Sequence, residues 1–445
     1  MSADELLERL EADGIEHLWV VYHDYSGRSC AKTVPRERFE AVVERGVVFA
    51  HANLSMRMDD VQPADATFLA DSGDFLAVPD PASYARVPHQ PATARVHVFM
   101  RSDDLSPWPG CPRTRLGRIL DAYAERGMSV RAGFEPEFFL FRRGDDGECV
   151  PADHDGMYTV RGLDRHNAVW RAVIGDLRAM DVTVEQLGKE YGPAQYEATA
   201  RYAEPMRAVD NHLLFKDTLH ARARESGLVA SFMPKPFEHL PGCGLHVHLS
   251  LWDAAGDREL SCGAGDEALS EFGQRMAAGL LAHARGLSGV GSPIVNSYKR
   301  LQPGSWAPAH VGWGIGNRAA LVRVPGTGPR GHLEYRSGDN ASNPFVWLTA
   351  LLAAGLDGID RGLALPPPID FDIGHMSEAE VRSRGIDVLP RALSEALDAF
   401  ESDPVLTAAL GPVISTEHLK IKRSELSAYD LHVHPWERRM YLEHL

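Results

Sequence analysis

Two glutamates stand two residues apart in the run Gly133-Phe134-Glu135-Pro136-Glu137-Phe138-Phe139-Leu140-Phe141. In a strand, side chains two apart share a face, so Glu135 and Glu137 point one way and Phe134 and Phe138 the other. Like charges on a buried face repel, and burial raises their pKa. A divalent cation facing them answers both problems. A half-exposed strand with a polar outer face is the competing reading, and this motif alone does not choose. Pro136 predicts an edge strand or a strong bend.

Three further segments carry reactive side chains. Glu190 and Glu197 flank Gly192-Pro193, a turn signal that lets them face each other across a hairpin or stand as two exposed loop charges. His246 and His248 share a strand face after Gly242-Cys243-Gly244, with Leu245, Val247 and Leu249 on the other. Two such histidines both need partners. The pair His432 and His434 has the same spacing in a charged tail next to Pro435 and reads as surface. The fourth segment is basic: Asn296-Ser297-Tyr298-Lys299-Arg300, then Arg318, Arg323 and His332-Leu333-Glu334-Tyr335-Arg336. Arg318 and Arg323 bracket apolar Ala319 to Val322, and planar guanidinium groups suit phosphate and carboxylate. Glu334 and Arg336 share a strand face. Together these residues suit a cavity holding two divalent metals and a polyphosphate.

The elements that must position them follow from periodicity. Ala3 to Asp13 is helix-like, with Leu6, Leu7 and Leu10 on one face. His17 to Tyr22 and Ser29 to Val34 predict a hairpin across Asp24-Tyr25-Ser26-Gly27-Arg28. A helix follows over Arg36 to Arg45. Ala66 to Leu69, Phe75 to Val78 and Arg95 to Met100 are strand candidates. A small α+β domain over residues 1–105 results, and Pro-rich Ser102 to Pro112 reads as a linker to residues 106–445. Thr114 to Gly127 is a helix leading into the Glu135 strand. The remainder mixes strands and helices without strict alternation and has no phosphate loop ending in Lys-Ser or Lys-Thr. Arg391 to Phe400 and Ser415 to Leu445 read as helices, with Trp436, Met440 and Tyr441 as a packing stripe.

Bulk properties agree with an enzyme. The 445 residues allow two domains. The net charge of −16 argues against nucleic acid or an anionic membrane as partner. There is no apolar run of about 18 residues, and the acidic amphipathic start is not a signal peptide. Five cysteines without Cys-x-x-Cys spacing predict a reduced, cytoplasmic protein.

These segments, taken together, resemble the glutamine synthetase family along nearly the whole chain. The resemblance rests on the Glu135–Phe139 strand, the Glu190/Glu197 pair with its turn, and Gly242-Cys243-Gly244-Leu245-His246-Val247-His248. It rests also on Asn296 to Gly304, Asn317-Arg318 with Arg323, Leu333 to Arg336, and Asn343-Pro344-Phe345 before an Ala/Leu helix ending in Gly355-Leu356-Asp357-Gly358-Ile359. It implies an α+β fold: an N-terminal β-grasp domain, and a catalytic domain whose curved antiparallel sheet is flanked by helices. It implies a homo-oligomer, a dodecamer of two stacked hexameric rings. Glu137, Glu190 and Glu197 would hold one metal, and Glu135, His246 and Glu334 the other, as Mg²⁺ or Mn²⁺. His248, Arg318 and Arg323 would contact ATP phosphates. Arg300 and the Gly242 region would bind glutamate, and Arg336 its γ-carboxylate and the transferred phosphoryl group.

Three departures bear on the second substrate. The family's Phe-Asp-Gly-Ser-Ser, whose aspartate helps hold ammonium, is here Phe49-Ala50-His51-Ala52-Asn53. Trp306 stands where the family's flap glutamate follows Pro-Gly-x. Pro241 replaces an asparagine. The charges that would hold NH₄⁺ and take its proton are gone, and an aromatic wall stands in their place. This pattern resembles the branch that joins glutamate to organic amines. Candidate anchors for a cationic amine are Asp59, Asp60 and His51. The negative charge favours such an amine, while Trp306 also suits a neutral aromatic one. Glutamine synthesis from ammonium, a catalytically silent relative, and a ligase for another acid are the alternatives. Cys243 reads as a small filler rather than a thiol nucleophile, and Asp370-Phe371-Asp372-Ile373 lacks the tyrosine that some relatives adenylylate.

Overall fold

The structure is a computed structural model describing residues 1–145, 147–265, 267–328 and 331–445, without the side chain of residue 378. Among the described residues, the first sheet runs through β1 (His17–His23), β2 (Ser29–Pro35), β3 (Val47–Ala50), β4 (Asp74–Pro79), β5 (Ala85–Arg86) and β6 (Thr93–Arg101). Its order is β2-β1-β6-β4-β3, with β5 on β6. β1 and β6 pair in parallel, while β1 and β2 form the antiparallel hairpin expected from the sequence. α1 (Ala3–Ala12) opens with a Ser2–Glu5 capping box and buries Leu6 and Leu10. The Arg36–Arg45 segment divides into a 3₁₀ turn and α2 (Phe39–Arg45). Ala66 to Leu69 is not a strand. Ala66 is buried and Phe68 packs on His51 and Trp108, while the Thr67 backbone N–H donates to the carboxylate of Glu417 instead of to a strand.

The connecting segment is docked. Trp108 is buried against Phe75 and His51, and its N–H donates to the Met100 carbonyl. α3 (Pro112–Ala124) follows, then the 16-residue β7 (Met128–Arg143). The second sheet has the order β13-β14-β15-β12-β7-β10-β9, with β8 and β11 also on β7. Its other strands are β8 (Cys149–Pro151), β9 (Val184–Lys189), β10 (Gln195–Ala200), β11 (Val229–Ser231), β12 (Leu245–Asp253), β13 (Trp313–Ile315), β14 (Val322–Val324) and β15 (Leu333–Tyr335). All pairings here are antiparallel except β13 with β14.

Pro136 therefore lies in the middle of the central strand, not at an edge. β12 pairs with β7 as far as Pro136, and β10 pairs from Glu137 onward. A residue without an N–H is tolerated where one partner hands over to the next.

Helices cover the sheet: α4 (Val160–Arg165), α5 (Asn167–Ala179) and α6 (Pro205–Glu225), then α7 (Glu271–Ala282), α8 (Ala284–Gly291) and α9 (Ser297–Arg300). α10 (Pro344–Asp360) is apolar on all sides and is the buried centre of the helical layer. Asn343 caps it and Pro344 starts it. α11 (Glu378–Ser383), α12 (Leu393–Glu401), α13 (Pro404–Asp430) and α14 (Pro435–Tyr441) complete the chain. α13 begins earlier than the sequence suggests, because its two halves join across Gly411 (φ +76°) and Pro412. The expected packing stripe is absent: Trp436, Met440 and Tyr441 are all exposed. The spacing makes one face of α14 apolar, but among the described residues of this chain nothing covers it.

Candidate active site

The sheet register assembles the site. Glu137 lies opposite Glu197, Glu135 opposite His246, His248 opposite Glu334, and Glu334 opposite Arg323. Four cross-strand pairs thus line up on one face across five strands. His246 Nδ1 is 3.0 Å from one oxygen of Glu135, and His248 Nε2 is 3.3 Å from the other. His248 Nδ1 meets His332 Nε2 at 2.8 Å. Glu334 is fully buried between Arg323, which donates at 2.6 Å, and Arg336.

Two groups of potential metal ligands result, each with donor atoms within 4.8 Å of one another: Glu135, His246 and Glu334, and Glu137, Glu197 and His246. The first is the expected second triad. The second departs from expectation, because His246 rather than Glu190 completes it. The carboxylate of Glu190 is taken up by the Tyr158 hydroxyl at 3.0 Å and its neighbour's N–H at 3.2 Å. Glu190 still borders the same cavity.

The electrostatics divide the carboxylates. Burial works to raise Glu135, but hydrogen bonds from His246 and His248 outweigh it and hold it well below the usual range. Against the same burial, Arg336 and the two histidines bring Glu334 down to about 2. Glu197 and Glu190 go the other way, pushed up by burial and by the neighbouring glutamates. Carboxylates that repel one another around a polar cavity are the environment a divalent cation relieves. A donor set of carboxylates with one imidazole suits Mg²⁺ or Mn²⁺, so the residues fit such an ion.

The cavity beside them has a volume of about 750 Å³. Glu137, Glu190, Glu197, His246, Gly242, Arg300, Trp306, Arg318 and Arg336 border it, whereas Glu135, His248, Arg323 and Glu334 stand behind this lining. Arg318 is exposed, despite its apolar neighbours in sequence, because it sits in the loop after β13. Arg300 is buried and donates to the carbonyls of Arg336, Ser337 and Gly338. Part of its expected carboxylate-binding capacity is thus spent on the backbone. The two glycines of the turn explain themselves here. A Cβ on Gly244 would sit 2.4 Å from the Arg300 guanidinium, and one on Gly242 would sit 2.7 Å from the Pro234 carbonyl. Cys243 is buried, and burial pushes its thiol well up, as a filler requires.

Several participants were not legible beforehand. Lys189, fully buried, donates to the carbonyls of Glu190 at 2.9 Å and Gly192 at 2.5 Å and so fixes the turn. Asn340 donates to the Gly244 and Glu137 carbonyls, clamping β7 to the glycine turn. Tyr191 packs against Trp306 at 5.6 Å and against Tyr158 at 6.1 Å, giving an aromatic wall. Trp306 has φ +61° and is 64% exposed. Of the other amine anchors considered, Asp59 pairs with Arg57 and Asp60 with Arg28, while His51 packs among Phe68, Phe75 and Trp108. None borders this cavity. His432 and His434 lie against each other in the tail before α14, at a ring distance of 4.8 Å.

Residues 109–441 match the glutamine synthetase catalytic domain. The chain belongs to the glutamine synthetase family. A relative named glutamate–methylamine ligase, from Methyloversatilis universalis, is 35% identical over 457 residues, covering 100% of both chains. A glutamine synthetase from Thermus thermophilus is 34% identical over 444 residues, covering 98% of each. Among solved structures, GmaS in complex with ADP matches with a TM-score of 0.88 at 34% identity, covering 98% of this chain and 99% of that one. GmaS without ligand matches at 0.87. As a member of the glutamine synthetase family, the chain is an ATP-dependent carbon–nitrogen ligase. Among its described residues, no helix is long and apolar enough to cross a membrane.

Proposed function

We propose that this ligase joins glutamate to an organic amine through a γ-glutamyl phosphate. The observation that carries the reading is the contrast within one cavity: the carboxylate and histidine groups are complete, while Trp306, backed by Tyr191 and Tyr158, stands at the mouth. An aromatic wall favours organic and cationic groups over a hydrated ammonium ion. The likeness to a relative named glutamate–methylamine ligase supports the same reading.

In this proposal Glu137, Glu197 and Glu190 hold one Mg²⁺ or Mn²⁺, and Glu135, His246 and Glu334 the other, with His246 shared between the groups. Such ions, when bound, neutralise the phosphate oxygens of ATP. Arg318, with Arg323 and His248 behind the cavity lining, orients the phosphates. Arg300 and the Gly242 backbone receive the α-carboxylate of glutamate. Arg336 steadies the γ-carboxylate as its oxygen attacks the γ-phosphorus and ADP leaves. The amine nitrogen then attacks the acyl carbon beside Trp306. Phosphate departs, and the nitrogen gives up a proton. Assembly into the rings expected of the family would cover the exposed tail.

The experiment is phosphate release from ATP with glutamate across a panel of ammonium, methylamine, longer alkylamines, diamines and anilines. The expected outcome is a kcat/KM for at least one organic amine well above that for ammonium. A preference for ammonium would overturn the reading in favour of glutamine synthesis, which the Thermus thermophilus relative's name supports.

A further inference from the structure

An alkylamine, like a lysine side chain, is an ammonium ion near neutral pH. It cannot attack an acyl phosphate until a proton has left its nitrogen, so an acceptor that no metal claims is needed beside it. Asp59, Asp60 and His51 do not border the ligase cavity. Among the described residues, four carboxylates do: Glu137, Glu190, Glu197 and Glu238. The first three belong to the proposed metal sites. Glu238 belongs to neither ligand group. It is exposed, and among the described residues its carboxylate has no hydrogen-bond or ion-pair partner. Arg300, Arg318, Arg336 and Lys235, which share the lining, are cations and repel an ammonium group. Glu238 is therefore the uncommitted negative charge at this cavity.

The segment that carries it is fixed at its base. The Pro234 carbonyl accepts from the Cys243 N–H at 2.8 Å. Lys235 exchanges two backbone hydrogen bonds with the Asn296 side chain, at 2.7 and 3.0 Å, and its Nζ donates to the Leu240 carbonyl. Phe237 packs edge-on against Phe141 at 5.8 Å and takes the His239 ring at 6.0 Å. Residue 238 is thus held at the rim beside the glycine turn. Its side chain, unpaired and with three rotatable bonds, is free to turn its carboxylate toward an incoming cation.

We propose that Glu238 receives the ammonium group of the amine substrate and takes its proton. This rests on the amine-ligase reading above. The N–H bond breaks, the proton passes to a Glu238 oxygen, and the electron pair stays on nitrogen. That nitrogen attacks the acyl carbon. The C–N bond forms, the C–O bond to phosphate breaks, and phosphate leaves with that pair and carries off the second proton. Glu238 returns its own proton to solvent.

The test is steady-state kinetics of wild type, Glu238→Gln, Glu238→Asp and His239→Gln. The nucleophiles are the best cationic amine, ammonium, and hydroxylamine, which is mainly neutral near pH 7 and needs no acceptor before it attacks. We expect Glu238→Gln to lower kcat/KM for the cationic amine about 100-fold or more, and for hydroxylamine less than about threefold. Glu238→Asp, which keeps a carboxylate, should recover about tenfold of that loss. All variants should melt as wild type does, because both positions are exposed. Equal losses for cationic and neutral nucleophiles would leave Glu238 a structural role and overturn the proposal. So would equal losses in Glu238→Gln and Glu238→Asp, no loss in either, or a loss in His239→Gln in their place. Should wild type use ammonium alone, the amine-ligase reading fails, and Glu238 is judged by the same comparisons with ammonium as the cation.

Discussion

Glu197 illustrates what one charge does in this cavity. Its carboxylate faces Glu137 across the strand pair and is pushed up by burial and its acidic neighbours, so it gains from any cation that enters. Glu197→Gln keeps the shape and removes the charge. Activity is expected to fall by about 100-fold, and the rise in melting temperature on adding Mn²⁺ to shrink. Stabilisation by Mn²⁺ equal to wild type would take Glu197 out of the ligand set. Trp306 gives the complementary case. It is largely exposed, so Trp306→Ala should leave stability within about 0.5 kcal/mol. The KM for the preferred amine should rise about five- to tenfold while the KM for ATP stays put. Steady-state kinetics with each substrate varied in turn separates the two.

At the level of elements, the site depends on turns and clamps outside the strands. Lys189 uses a buried ammonium to hold two carbonyls of the Glu190 turn. Lys189→Met leaves those carbonyls without their partner, at a cost of about 1–3 kcal/mol, measurable by urea unfolding, together with lower activity as Glu190 and Glu197 lose their spacing. A second clamp ties the helical layer: His283 lies 2.6 Å from Asp403 and 3.0 Å from Asp357. Burial opposes its charged form, but the hydrogen bonds its two ring N–H groups donate to Asp403 and Asp357 raise its pKa above 6.5. A group raised on folding stabilises below its unfolded pKa, and that stability is lost as pH climbs through the folded value. The gap in melting temperature between wild type and His283→Gln should therefore be larger at pH 6 than at pH 9. An equal gap at both would show that His283 acts only through packing. Neither clamp was legible in the sequence, since both join residues by tertiary contact. The strand-face assignments were legible, because period two places Glu135 with Glu137, and His246 with His248, whatever the neighbours are. The exchange of Glu190 for His246 was not, because it depends on register between strands distant in sequence. The edge reading of Pro136 failed for the same reason: a proline reports its missing N–H, but not where a strand changes partner.

For the whole molecule, the unanswered surface is the C-terminal tail. Leu431, Trp436, Tyr441 and Leu442 are all exposed within this chain, and such apolar faces ordinarily meet another surface. If assembly covers them, removing residues 431–445 should shift the sedimentation coefficient from a large assembly toward smaller species while helix content per residue is kept. An unchanged sedimentation profile would free the tail from any part in assembly. The amphipathic spacing of this segment was plain in the sequence. What faces it was not, since periodicity names the apolar side of a helix without naming its partner.

The aromatic wall has a consequence for how such an enzyme changes over time. Glu135, Glu137, His246 and Glu334 are locked into central strands, where most substitutions cost fold and chemistry at once. Trp306 belongs to a surface loop whose side chain carries little of the core. Mutations there are expected to cost little stability, so on the proposed reading the nucleophile can change while the central strands stay untouched. On the proposed reading, libraries confined to residues 303–307 are expected to alter the choice of nucleophile before they cost stability.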